Sequence, residues 1–218
     1  MAQIKIPATQ KSYYTPAQAE QNLNKIKNVI IPKYGKIIDK VSLITGVPKE
    51  IIISFIFIES SGNPNASTNW ATGLMQLGNS SCSDALILEK STGRLKSEEE
   101  AVIKKQLGSR YSNLQNLKSN QKSIGKTFVS KNDLLDPTFN ILCGSILLGQ
   151  LMDSFLENGV PRLDKIVVIY NRGAYDSVSK KVAKLKGTTD DVIDAIPNGT
   201  GEYIKKLVGI NSLMDSLV

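Results

Sequence analysis

The chain has 218 residues, 41% of them hydrophobic and 22% charged, which supports one domain-sized buried core with at most a small appendage. The 27 Lys and Arg against 20 Asp and Glu give a formal charge of +7, favouring anionic partners without choosing among nucleic acid, phospholipid and bacterial wall. Histidine is absent, which excludes His-based triads, His-metal sites and His proton shuttling, and leaves acid–base chemistry to Asp, Glu, Lys or Tyr.

Residues 1–15 read as an extended polar lead-in, with Thr15 as N-cap and Pro16 opening a helix. Ala19, Leu23, Ile26 and Ile30 keep helical spacing, and Pro32 is expected to start a second helix with Ile37, Ile38, Val41 and Ile44 on its apolar stripe, ending at Gly46. The segment 49–61 is rich in β-branched residues and could be a strand. A buried helix is preferred, because Pro48 suits a first turn and Ser61-Gly62-Asn63-Pro64 is a sharp stop.

A polar loop over 63–70 leads to a tight element at Gly73-Leu74-Met75-Gln76-Leu77, in which Leu74 and Leu77 are expected to be core. The stretch 80–132 is less hydrophobic, with a capping-box pattern at Ser97-Glu98-Glu99-Glu100 and an expected loop over 118–131. An amphipathic helix follows over 138–156, then helices over 163–170, 178–185 and 202–217. The fold class is mainly α: residues 1–46 form a basic helical segment, and 47–218 form one domain with an inserted lobe over 80–132.

No run approaches the roughly 18 apolar residues of a membrane span. The first seven residues lack a stretch of signal-peptide length, and Met1 argues against a signal already removed. Cys82 and Cys143 are too few for a disulfide scaffold, so free thiols are expected, with their pairing left open. Eight lysines face three acidic residues in the first fifty positions. That excess is either a docking surface for a partner or the anionic wall, or an ordinary solvated face.

Among the acidic residues Glu59 stands out. In a helix over 49–61 its neighbours at i−3, i−4 and i−7 are Ile56, Phe55 and Ile52. Desolvation and the negative end of the helix both oppose a charged carboxylate there, and both raise its pKa toward that of a general acid. Equally, Glu59 could end the helix and turn outward to water.

Glu59-Ser60, followed after an Asn/Pro loop by Gly73-Leu74-Met75-Gln76-Leu77, resembles the lytic transglycosylases of the soluble-lytic-transglycosylase type, lysozyme-like enzymes that cleave peptidoglycan. The likeness continues at Asp136-Pro137 with Asn140-Ile141 and Gly144, at Ile169-Tyr170-Asn171 with Gly173, and more weakly at Pro197 with Thr200, Tyr203 and Ile204. These motifs cover roughly 45–79 and 134–210 in the family's order.

The resemblance implies a lysozyme-like fold and makes Glu59 the catalytic acid/base. It places Ser60, Met75, Gln76, Tyr170 and Asn171 against the substrate. For Tyr170 a core role, and for Asn171 a turn before Gly173, remain alternatives. Three positions depart from the pattern: Gly199 and Gly201 stand where the family has Glu and Arg, and Arg172 replaces a small residue. Thr200 and Glu202 are auxiliary candidates, Glu202 as a replacement for the missing acid.

The implied reaction cuts the β-1,4 bond between N-acetylmuramic acid and N-acetylglucosamine with one Glu and leaves 1,6-anhydro ends. No metal or organic cofactor is implied. The expected partners are peptidoglycan glycan strands and other phage virion or tail proteins, with no nucleic acid and no membrane span. The expected location is the phage virion. A hydrolytic muramidase on the same scaffold and a non-catalytic wall-binding virion protein are the alternatives.

Overall fold

The structure, a computed structural model, describes residues 8–217; the expected lead-in therefore lies outside it over residues 1–7. The described chain is mainly helical, as its patterning implies. In order it forms α1 (Pro16–Lys25), a π-helical turn (Ile26–Ile30), α2 (Ile31–Thr45), α3 (Lys49–Ser60), α4 (Asn79–Ser91) and α5 (Ser97–Leu107). Next come a 3₁₀ segment (Gly108–Leu114), a 3₁₀ turn (Asp133–Leu135) and α6 (Pro137–Ser154). A hairpin of β1 (Leu156–Glu157) and β2 (Val160–Pro161) precedes α7 (Leu163–Arg172), α8 (Ser177–Lys184), α9 (Thr189–Asp194), α10 (Asn198–Val208) and α11 (Leu213–Leu217). No helix among the described residues is long and apolar enough to cross a membrane.

The chain divides into two compact units, one of Met1–Pro32 with Gln150–Val218 and one of Lys33–Gly149. The boundary read from sequence at 46/47 falls inside the second. Pro32 does not start a separate helix as expected: α1, the π-helical turn and α2 follow without a break. Proline lacks the N–H for an i→i−4 bond and crowds the carbonyl one turn back. Here the turn before it widens to π geometry, with the Ile31 N–H reaching the Ile26 carbonyl.

In the Lys33–Gly149 unit, α3 is buried along residues 51–57 without a polar face, so it is helical despite its β-branched residues. Helix α6 opens as expected, with Pro137 in its first turn and Asp136 Oδ1 accepting from the Phe139 N–H at 2.8 Å. It is buried on all sides over residues 139–146, not on one stripe.

Residues 80–132 belong to this unit and contribute side chains to its core. Cys82, Leu86, Ile87, Ile103, Leu107 and Leu114 are all buried, and the Ser83 hydroxyl accepts the N–H groups of Phe128 and Val129 at 3.2 Å. The capping box is displaced by one residue from the expected one: α5 starts at Ser97, and Glu99 accepts the Lys96 N–H at 2.7 Å. Cys82 and Cys143 are free and buried, and the Cys82 thiol lies beside that of Cys143.

Arg110 grips Asp133 through two nitrogens at 2.6 and 2.7 Å, just before α6. Burial pushes the Asp133 carboxyl up, but the Arg110 guanidinium and the Ser130 hydrogen bonds outweigh it and hold the pKa below the usual range.

The other unit is built on α7, buried over residues 163–169, with α10 packed against it. Arg162 makes a bidentate pair with the fully buried Asp164 at 2.9 and 2.7 Å, at the N-terminus of α7. Two elements depart from expectation. The Asn158–Gly159 pair has positive φ at both residues and turns the β1–β2 hairpin. The closing helix splits into α10 and α11, because Gly209 lets the Lys11 carbonyl approach and accept from the Ile210 N–H at 3.0 Å. Lys11 also pairs with Asp194, so part of the basic N-terminal excess is neutralised.

The Asp133 pair gives a signed prediction. A depressed carboxyl stabilises the fold above its unfolded pKa of about 3.9, and that contribution is lost as pH falls through the lower folded value. In urea unfolding, Asp133→Asn is expected to be less stable than the parent at pH 7, with the gap narrowing toward about pH 2. A gap independent of pH contradicts the ionic role of Asp133.

Candidate active site

Glu59 is the penultimate residue of α3, as its spacing implies. Ile52, Phe55 and Ile56 behind it have no exposed surface, the residue is half-buried, and its Oε1 has lost contact with solvent. The helix ends abruptly at Ser61, which takes a left-handed conformation (φ 53°) while its N–H reaches the Phe57 carbonyl at 2.9 Å. Ser60 donates its hydroxyl to the Ile56 carbonyl at 3.1 Å and accepts the Gly62 N–H at 3.2 Å. The buried Tyr34 hydroxyl donates to the Gly62 carbonyl at 3.3 Å. These contacts fix the direction in which Glu59 leaves the helix.

The following loop is held by Asn140 of α6, which is 0% exposed. Its Oδ1 accepts the Met75 N–H at 2.8 Å, and its Nδ2 donates to the carbonyls of Thr72 at 3.0 Å and Leu134 at 2.9 Å. Gly73 (φ +85°) leaves room for this amide: a Cβ there would lie 2.2 Å from both Asn140 Nδ2 and the Leu134 oxygen. Met75 has no exposed surface and packs on Gly144, where a Cβ would meet its Sδ at 2.4 Å. Met75 was expected on the groove wall; it lies instead beneath the loop, in the core with Leu74 and Leu77. Gln76, at φ 45°, donates its side-chain amide to the Ala66 and Gly73 carbonyls, each at 2.9 Å. Ser60 and Gln76 therefore brace the loop through the same polar groups assigned to substrate.

The remaining assigned residues belong to the other compact unit. Tyr170 is half-buried and Asn171 exposed in the last turn of α7, whose end is made by Gly173 (φ +82°). Thr200 is buried in α10 and accepts from Arg172 at 3.3 Å; Glu202 is half-buried one turn beyond Gly199 on the same helix. Arg172 pairs with Asp176 at 2.7 Å, and its guanidinium holds that carboxyl down at about 2. A Cβ at Gly201 would stand 3.4 Å from Ile193 Cγ2, so the departure from the family's arginine coincides with helix packing against α9. No cluster of three or more His, Cys, Asp or Glu able to hold a metal occurs among the described residues.

Two features escaped the sequence reading. Asn140 was part of a motif, but its grip on the loop depends on a contact 65 residues distant. Trp70, the chain's single tryptophan, stands 86% exposed in a polar stretch, and its isolation there was the available signal. The chain matches no protein-family model and no curated protein. The likeness to lytic transglycosylases accordingly rests on the motifs.

The loop's dependence on Asn140 can be measured. Asn140→Ala takes the side-chain partner from the Met75 N–H and the Leu134 carbonyl in the core, at about 1–3 kcal/mol for each buried group, while the Thr72 carbonyl keeps its bond from the Leu77 N–H. The expected result is a fall in Tm of roughly 10 °C in thermal unfolding. Asn140→Asp keeps the acceptor toward Met75 but loses the donor toward the Thr72 and Leu134 carbonyls when ionised, so its loss relative to the parent is expected to be larger at pH 7 than at about pH 4. Parent stability in both variants contradicts the clamp.

Proposed function

We propose that this protein cleaves the β-1,4 bond between N-acetylmuramic acid and N-acetylglucosamine in bacterial peptidoglycan, using Glu59 as its only acid/base. The observation that carries the reading is the setting of Glu59: the end of a helix buried over residues 51–57, with one carboxyl oxygen withdrawn from solvent. A carboxyl oxygen withdrawn from water behind apolar neighbours is the setting a general acid requires, and the reading rests on it.

The chemistry the resemblance implies needs one such group. Glu59 protonates the glycosidic oxygen as the anomeric C–O bond breaks and its electron pair leaves with that oxygen. The resulting carboxylate then takes the proton of the 6-hydroxyl on the same muramic acid ring, and that oxygen closes onto the anomeric carbon. Proximity supplies the nucleophile, and no second carboxylate is required. The motif likeness alone supports a lysozyme-like fold, a role for Tyr170, Asn171, Thr200 and Glu202 beside the sugar, and carriage in a phage virion.

A second reading, a non-catalytic wall-binding protein on the same framework, draws support from the internal hydrogen bonds of Ser60 and Gln76 and from Gly199 and Gly201 in the last motif. Digestion of purified sacculi separates the readings. Parent protein is expected to release muropeptides with 1,6-anhydro ends by mass spectrometry, and Glu59→Gln is expected to lower release at least about 1,000-fold with an unchanged unfolding midpoint. Reducing ends indicate a hydrolytic muramidase. Binding without release, identical in Glu59→Gln, overturns the enzymatic reading. Glu202→Gln with full activity removes Glu202 from the mechanism.

A further inference from the structure

The loop that follows Glu59 carries a feature that none of the motif residues accounts for. Residues 68–71 form a tight hairpin tip: the Thr68 N–H donates to the Ala71 carbonyl at 2.8 Å, while the Thr68 hydroxyl accepts the N–H groups of Trp70 at 3.2 Å and Ala71 at 3.0 Å. From below, the Lys131 ammonium donates to the Thr68 carbonyl at 3.1 Å, and isolated bridges pair Ser67 with Thr72 and Thr72 with Leu77. The tip is therefore rigid, yet it presents an indole that is 86% exposed. Leaving the largest apolar side chain in water forgoes its burial energy, while the hydrogen bonds of the turn hold the backbone that carries it.

Beside that indole lies a depression of about 350 Å³, at the low end of the range that takes small ligands. Its wall is polar without being strongly charged: hydroxyls of Thr68, Ser80 and Thr127, amides of Asn69 and Asn79, and Lys131 as the cation. Among the described residues, the side chains of Asn69, Asn79, Ser80 and Thr127 make no hydrogen bond with the protein, so their donors and acceptors face a ligand or water. Gly78 lets the tip approach α4, since a Cβ there would stand 3.3 Å from the Trp70 oxygen.

We infer that Trp70 and this depression form a saccharide subsite for a neutral N-acetylated hexosamine ring of a glycan strand. A pyranose offers one face of C–H groups, which stacks on an indole, and a rim of equatorial hydroxyls and an acetamide, which matches amides and hydroxyls. A stacked nucleobase would use the same indole. It would also bring a phosphate chain that needs several cations, whereas this wall holds Lys131 alone, already bonded to Thr68. The identity of the sugar rests on the proposed wall-cutting function; the stacking platform does not.

Because Trp70 is the chain's single tryptophan, its emission reports on the site directly. Full-length Glu59→Gln, which removes turnover under the proposed function, is titrated with the N-acetylglucosamine tetramer, a glucose tetramer and oligothymidylate. A saturable blue shift with the N-acetylated tetramer, and a response at least about tenfold weaker to the glucose tetramer, is expected. In calorimetry, Trp70→Ala is expected to weaken binding of the N-acetylated tetramer at least about tenfold, with the far-UV spectrum and Tm retained, and Trp70→Tyr to recover part of it. Unchanged emission at saturating sugar, full affinity in Trp70→Ala, or a response to oligothymidylate alone overturns the subsite. The two proposals fail separately. Sacculus digestion lost in Glu59→Gln without a Trp70 response sinks the subsite only, and a Trp70 response without any sacculus cleavage sinks the enzyme only.

Discussion

Asn140 exposes no surface, yet its side-chain amide joins three main-chain groups from two segments far apart in sequence: Thr72 and Met75 in the loop after Glu59, and Leu134 in the turn before α6. A buried amide engaged at both ends is stable, and removing it leaves several polar groups stranded without water. Its presence requires a glycine at position 73, beside the amide, and the Met75 side chain it helps to place requires one at position 144. Loop, helix and intervening turn are thereby one polar joint inside an apolar core. A loop so long and so rich in Ser, Thr and Asn would otherwise have little apolar contact to order it.

That joint matters because Glu59 opens directly into the loop. The helix bearing the carboxyl cannot rotate, since residues 51–57 are buried on every side. Its last turn is pinned by Ser60, Ser61 and Tyr34. These contacts hold Glu59 through backbone and core and leave it at the boundary of solvent, the placement that the proposed proton delivery requires. The same division recurs at Trp70, where the Thr68 and Lys131 hydrogen bonds fix the backbone and the indole is left outside.

The basic surplus has a local explanation in part. Lys11, Arg162 and Arg172 are each tied to aspartates of their own unit, and Arg110 to Asp133. These three arginines, Arg110, Arg162 and Arg172, close helix ends and loop joints. Arg172, which stands where the family has a small residue, joins α7 to the cap of α8 through Asp176.

Helical class, the buried helix after Pro48, its stop at Ser61 and the position of Glu59 within its last turn were all legible in the sequence, because each depends on spacing and on residues a few positions apart. The hairpin at Asn158–Gly159 was equally local and lay within reach of the same rules. Other features depended on partners that spacing does not reveal. Pro32 is absorbed by a widened turn instead of breaking the helix, the polar stretch 80–132 contributes side chains to the core of the Lys33–Gly149 unit, and Gly209 divides the last helix to admit Lys11. Met75, Gln76 and Ser60 could be placed on a motif, but only tertiary packing decided that Met75 is buried and that the other two brace the loop. Sequence determines which side chains a short segment carries and how they repeat. Which of their polar groups remain available is decided by contacts such as that of Asn140, made across 65 positions of chain.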